Sequence, residues 1–149
     1  MRKLLCLLLF LGTCMLSACS YDSETAAKNG DVINMNGPVY NFHRFERFLD
    51  NIEAKEAAYV RIANYTPEGN PTLYNLSFDG SVFNLEIDLS KNKDLGDSPA
   101  KVNMTCSELI SEEGQQLFTY TLEGCQQDST VESFTILSIM KEQVEDHEH

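Results

Sequence analysis

Tyr59, Arg61 and Tyr65 recur at odd positions of one stretch, AYVRIANYT, and Glu68 follows in the turn TPEGNP. Arginine carries a permanent charge and a rigid fork of donors. Tyrosine joins a rigid apolar ring to a polar tip, and residues of both types dominate contact sites. Glu86 and Asp88, in FNLEID, add two carboxylates that a neighbouring strand could bring close to Arg61. Two readings follow. In one, Tyr59, Arg61, Tyr65 and Glu68 form a ligand-binding surface; in the other, carboxylates near Arg61 act as acid and base in a small hydrolase. The first asks less of the sequence, because 23 Asp and Glu against 11 Lys and Arg place carboxylates together without selection for chemistry. No nucleophile elbow, Gly-rich phosphate loop or paired His–Glu motif occurs, and no cofactor is implied. The domain is read as non-catalytic.

Cysteine supplies the next chemistry. Arg2 and Lys3 precede an apolar run from Leu4 to Leu11, and small residues stand before Cys19 in Leu16-Ser17-Ala18-Cys19. The run is shorter than the roughly 20 residues a membrane helix needs, and its order is that of a cleaved export signal. The four residues look like a bacterial lipobox, in which the cysteine is lipidated and becomes the new N-terminus. Residues 1–18 are thus expected to be a lipoprotein signal peptide, with Cys19 the lipidation site.

Cys6 and Cys14 leave with such a leader, so Cys106 and Cys125 are the two thiols left for the exported domain, and one disulfide is expected. A redox or metal pair is the alternative, but no Cys-x-x-Cys or neighbouring His supports it. Loss of Arg2 and Lys3 takes the formal charge from −12 to −14. Such a surface repels nucleic acid and anionic headgroups, leaving the lipid on Cys19, with its two chains, to hold the membrane.

The elements that position these residues can be read in order. Residues 19–31 are polar or small and read as a tether, about 20 Å long on random-coil scaling. Val32, Ile33 and Met35 lie between Asn-Gly turn signals and suggest a short strand or arm. Asn41 is a candidate N-cap, and Phe42, Phe45, Phe48, Leu49 and Ile52 recur at helical spacing, predicting a helix from about Phe42 to Ala54. His43, Arg44, Glu46, Arg47, Asp50 and Asn51 fall off that stripe and are read as a solvated face.

The period then changes to two. Val60 and Ile62 alternate with Tyr59 and Arg61, and TLYNLSF runs into Asp79-Gly80, a preferred two-residue hairpin loop. That loop would pair Leu76 with Phe83 and Tyr74 with Leu85. Asn75, Ser77, Asn84, Glu86 and Asp88 would occupy the opposite, polar face. Val102 to Ile110 reads as one strand, and Phe118 to Leu122 as another. Val131 to Met140 is a further strand or, alternatively, a helix. The tail, 143–149, is charged, and its His147 and His149 lack a fixed partner set for a metal.

This succession of Asn29-Gly30-Asp31-Val32, Asn36-Gly37, Asn41, Phe48, Arg61, Tyr65-Thr66, Glu68-Gly69, Pro71, Asp79-Gly80, Cys106 and Cys125 resembles the Bacillus-type lipoproteins grouped as domain of unknown function 4362. The resemblance spans about Asn29 to Gln126. It implies export from a Gram-positive cell and a single domain, and it implies no reaction. The acidic, His-bearing extension past Cys125 departs from it.

The resulting expectation is an α+β domain over residues 32–142, with one amphipathic helix on an antiparallel sheet of about five or six strands. It would sit on the extracytoplasmic face of the cell membrane as a binding or regulatory module, gripping an envelope protein, a peptide or a cell-wall partner. A small envelope hydrolase and a cystatin-like inhibitor domain are the alternatives.

Overall fold

The computed structural model describes residues 21–93, 96, 99–126 and 133–145. The lipobox, His147 and His149 lie outside them. Among the described residues no helix is long and apolar enough to cross a membrane.

The fold is α+β in broad class and mostly β: the described residues form nine strands in two sheets, with three small helices. In chain order these are α1 (Ser23–Lys28), β1 (Val32–Asn34), β2 (Val39–Tyr40), α2 (His43–Glu53), β3 (Ala58–Tyr65), β4 (Pro71–Phe78), β5 (Phe83–Asp88), β6 (Lys101–Cys106), β7 (Glu108–Glu113), β8 (Leu117–Glu123), β9 (Ser133–Met140) and α3 (Lys141–Glu145). The larger sheet has the order β2-β1-β3-β4-β5-β6, and β7-β8-β9 form the smaller one. β1 runs parallel to β3 through the crossover that contains α2, and the other pairings are antiparallel.

One face of the large sheet presents Val60, Ile62, Leu76, Phe78, Phe83, Leu85 and Met104 to a single core. The aromatic stripe of α2 covers it at one end and the small sheet covers the rest. Phe45 meets Tyr120 of β8 edge to face at 4.8 Å between ring centroids, and Tyr74 meets Phe134 of β9 at 5.3 Å. Burial of such rings dominates the stability of small domains.

Several sequence expectations change here. One sheet of five or six strands becomes two, because the run from Val102 to Ile110 breaks at Ser107 and sends β6 and β7 into different sheets. Cys106 and Cys125 are joined by a disulfide at that crossing, and Thr105 and Gln126 form a short bridge beside it. Gly124 closes the corner at φ +60°, where a Cβ would come within 2.2 Å of the Ser107 Oγ. The run ending at Met140 is a strand rather than a helix over its described part.

The β4–β5 hairpin also differs. Phe78 pairs with Phe83, Leu76 with Leu85 and Tyr74 with Ile87, two residues out of the expected register. The Asp79 carboxylate accepts from the Ser81 and Val82 amides at 2.9 and 3.0 Å and from the Ser81 hydroxyl at 2.8 Å, which lengthens the loop to four residues. At the start of α2, Asn41 does not cap. It adopts φ 58° and sends its amide to the Asp31 carbonyl at 3.0 Å, and α2 begins at His43 after Phe42.

The expected tether is part of the folded body from Tyr21 onward. Asp22 caps α1 through the Thr25 amide, and Ala26 is fully buried against Ile33, Ala63, Tyr65 and Leu73 on the second face of the large sheet. Val144, in the expected charged tail, packs on the main core from α3.

Candidate ligand-binding site

The turn after α1 feeds Asp31 into the edge of the large sheet, where it is 2 % exposed. A buried carboxylate requires a partner. Arg61 provides it, donating from Nε to Oδ1 at 2.8 Å. The Tyr21 hydroxyl donates to Oδ2 and itself accepts from Arg61 Nη2 at 2.7 Å and Asn29 Nδ2 at 3.1 Å. The guanidinium also lies 5.5 Å from the centroid of the Tyr21 ring. Tyr65, buried, donates to the Tyr21 carbonyl at 3.1 Å.

Burial pushes Tyr65 up to about 12, helped by the negative potential of Tyr21 and Asp31. Burial, then the bond to Asp31, raises Tyr21 as well. For Arg61, burial disfavours the charge, but the bond and charge of Asp31 outweigh it and hold the guanidinium ionised. Arg61 and Tyr65 thus tie residues 21–31 to the sheet.

The four residues singled out from the sequence do not converge. Tyr59, 61 % exposed, shares a depression with Arg61. Tyr65 lies four residues farther along β3, about 13 Å at strand rise, and Glu68 is exposed in the turn beyond it. Neither lines the depression that Tyr59 and Arg61 share.

The segment from Tyr21 to Asp31 covers one half of the second sheet face. Over the other half, register builds two cross-strand rows. Asn75, Glu86 and Asn103 align in one, and Tyr59, Ser77, Asn84 and Thr105 in the other, ending beside Gln126. They line an open depression of about 640 Å³. The Tyr59 hydroxyl donates to Asn75 Oδ1 at 2.9 Å, Asn75 Nδ2 donates to Glu86 at 3.1 Å, and Lys101 donates to the same Glu86 oxygen at 3.0 Å. Thr105 donates to Asn84 at 3.0 Å. Burial disfavours the Asp88 carboxylate, yet hydrogen bonds from Ser90 and the charge of Lys101 bring it below the usual carboxylate range.

Sequence reasoning placed Asn75, Ser77, Asn84 and Glu86 on this face but missed Asn103 and Gln126, which arrive from β6 and from beyond the disulfide. Asp31 was missed because it was assigned to the tether. Its signal was a lone acid running directly into Val32-Ile33. Among the described residues no group of three or more His, Cys, Asp or Glu could hold a metal ion.

A family model described as domain of unknown function (DUF4362) matches residues 29–121. No curated protein and no solved structure matches the chain.

Proposed function

The chain belongs to the DUF4362 family, a domain of unknown function, and on that premise we propose that it is an exported lipoprotein, anchored through Cys19 on the extracytoplasmic face of the cell membrane. It binds a hydroxyl-rich cell-wall ligand on the open face of the large sheet and does not transform it.

The carrying observation is the convergence of Asn75, Asn84 and Asn103, from three adjacent strands and two neighbouring cross-strand rows, on one uncovered depression, with the ring of Tyr59 exposed at its rim. A carboxamide sets a donor beside an acceptor, which matches adjacent hydroxyls of a sugar or the two sides of a peptide group. An exposed tyrosine adds a flat apolar platform. Glu86 is matched by Lys101, which favours a ligand of polar rather than strongly charged chemistry.

Support for binding without turnover comes from the carboxylates. Asp88, held ionised by Ser90 and Lys101 against the effect of burial, suits an acceptor and not a proton donor. Support for the anchor comes from Leu16-Ser17-Ala18-Cys19 after a short apolar leader.

Two measurements test the reading. Cys19→Ala should release the protein into the medium or leave its leader uncleaved; normal processing with unchanged membrane fractionation rejects the lipid anchor. Purified cell-wall glycan fragments should bind the wild type, emerge with unchanged mass, and bind Tyr59→Ala about tenfold more weakly, the loss of one well-formed contact. A mass change catalysed by the wild type and abolished by Glu86→Gln would establish the hydrolase instead.

A further inference from the structure

Four arginines occur in the chain: Arg2 in the leader, Arg44, Arg47 and Arg61. The last three line one cavity of about 420 Å³, which no lysine lines. In a chain with a formal charge of −12, this gathering of one cation type is opposite to the surface average.

The cavity lies at an edge. β1 pairs with β3 only from Ile62 to Asn64, so the strand from Ala58 to Arg61 has β4 on one side and, among the described residues, no strand on the other. Helix α2 and the turn Asn29–Asp31 wall off that open edge. Arg44, Arg47 and Asn51 stand at helical spacing i, i+3 and i+7 and so share one side of α2. Gly30 receives the first of them: it has φ +78°, and a Cβ there would touch the Arg44 guanidinium at 3.5 Å.

The charge is not balanced within the site. Arg61 is neutralised by Asp31. Arg44 and Arg47 form no ion pair with any described residue, although Asp50 stands three residues after Arg47 and Glu46 between the two. Asp31 and Arg61 cancel, which leaves a local charge near +2. A phosphate dianion matches that charge, a single carboxylate meets half of it, and the guanidinium fork fits phosphate oxygens in pairs.

We propose that this cavity is a phosphate-binding site, in which Arg44 and Arg47 hold the phosphate oxygens. Asn51 and the Asn29 turn supply polar walls, and the remaining volume accommodates the group that carries the phosphate. The site is separate from the sheet face across Tyr59 and does not depend on lipidation at Cys19. A free or terminal phosphate and the phosphodiester of a lipid headgroup offer the same oxygens, and the dianionic form satisfies the charge fully.

The test is titration of the full-length chain, held in a neutral detergent at constant ionic strength, with inorganic phosphate and, separately, with glycerophosphoglycerol, the soluble headgroup of phosphatidylglycerol. Arg44→Gln and Arg47→Gln should each weaken binding by about tenfold, the effect of losing a charge-assisted hydrogen bond. Lys91→Gln, exposed in the loop after β5 and outside the cavity lining, should leave binding unchanged. Circular dichroism of each variant verifies the fold. Preference for inorganic phosphate assigns a free or terminal phosphate, and preference for the diester assigns a headgroup. Failure of both ligands to bind, or equal weakening by Lys91→Gln, overturns the site. Should the arginine variants lose fold, retention of phosphate binding by Arg44→Lys and Arg47→Lys at wild-type strength would also count against it, since lysine lacks the planar fork.

Discussion

Arg61 Nε donates to the buried Oδ1 of Asp31 across 2.8 Å, joining the middle of β3 to a residue thirty positions earlier in the chain. Taking two charges from water is costly, and removing one partner leaves the other uncompensated. Arg61→Ala should therefore lower stability by about 3–5 kcal/mol, read by denaturant unfolding. Asp31→Asn in the same background should recover part of the loss, because a neutral amide needs no counter-charge. An Arg61→Ala domain as stable as the wild type would show that Asp31 finds water or another donor.

Alkaline pH tests the same network. Tyr65 titrates near 12 in the folded domain, raised chiefly by burial, from 10.0. Its folded pKa exceeds its unfolded one, so its contribution to stability is complete below pH 10 and is lost as pH rises toward 12. Tyr21 is shifted in the same direction, by burial first and then by its bond to Asp31. Unfolding free energy should be flat in this respect to pH 10 and fall beyond it. Tyr65→Phe should make that fall shallower, while a wild-type slope in the variant would remove Tyr65 from the account.

The fold was legible where one period had one outcome. Phe45, Phe48 and Ile52 announced α2, and the alternation of Val60 and Ile62 with Tyr59 and Arg61 announced β3 and its two faces. Register was not legible: pairing Phe78 with Ser81 or with Phe83 leaves every side chain on the same face, since the two differ by two residues. Only the three hydrogen bonds to the Asp79 carboxylate decide between them. The cavity was hidden for another reason. Arg44 and Arg47 fall off the aromatic stripe and read as a solvated face, and only the ending of the β1–β3 pairing at Ile62 turns that face into a wall beside Tyr59 and Arg61.

The disulfide should matter because of where it closes the chain. Cys106 ends β6 in the large sheet, Cys125 follows β8 in the small one, and nineteen positions separate them. In the chain-entropy account a loop of that length is worth about 3 kcal/mol. The double substitution Cys106→Ala with Cys125→Ala should lower stability by about that much without changing the far-ultraviolet spectrum. Two alkylated thiols in nonreduced protein taken from cells would show that the bridge is not made.

The segment before β1 gives the sharpest contrast between spacer and structure. A spacer can be shortened without cost to the domain, but residues 23–28 form α1, bury Ala26 and roof Ile33, Ala63 and Leu73. Tyr21 meanwhile supplies the hydroxyl shared by Asp31, Arg61 and Asn29. Deleting residues 21–28 exposes that apolar face and strips the Asp31–Arg61 pair of its cover, at an expected cost of about 3–5 kcal/mol for loss of the buried Ala26, the partly buried Tyr21 ring and its network. Inserting a Gly-Ser stretch between Ser20 and Tyr21 leaves all these contacts available and should not shift the melting temperature. Equal stability of the deletion and insertion variants would return the segment to the role of a tether. A large loss in the deletion alone makes residues 21–31 the lid of the sheet, and places the folded domain two residues, at most about 7 Å of extended chain, from Cys19.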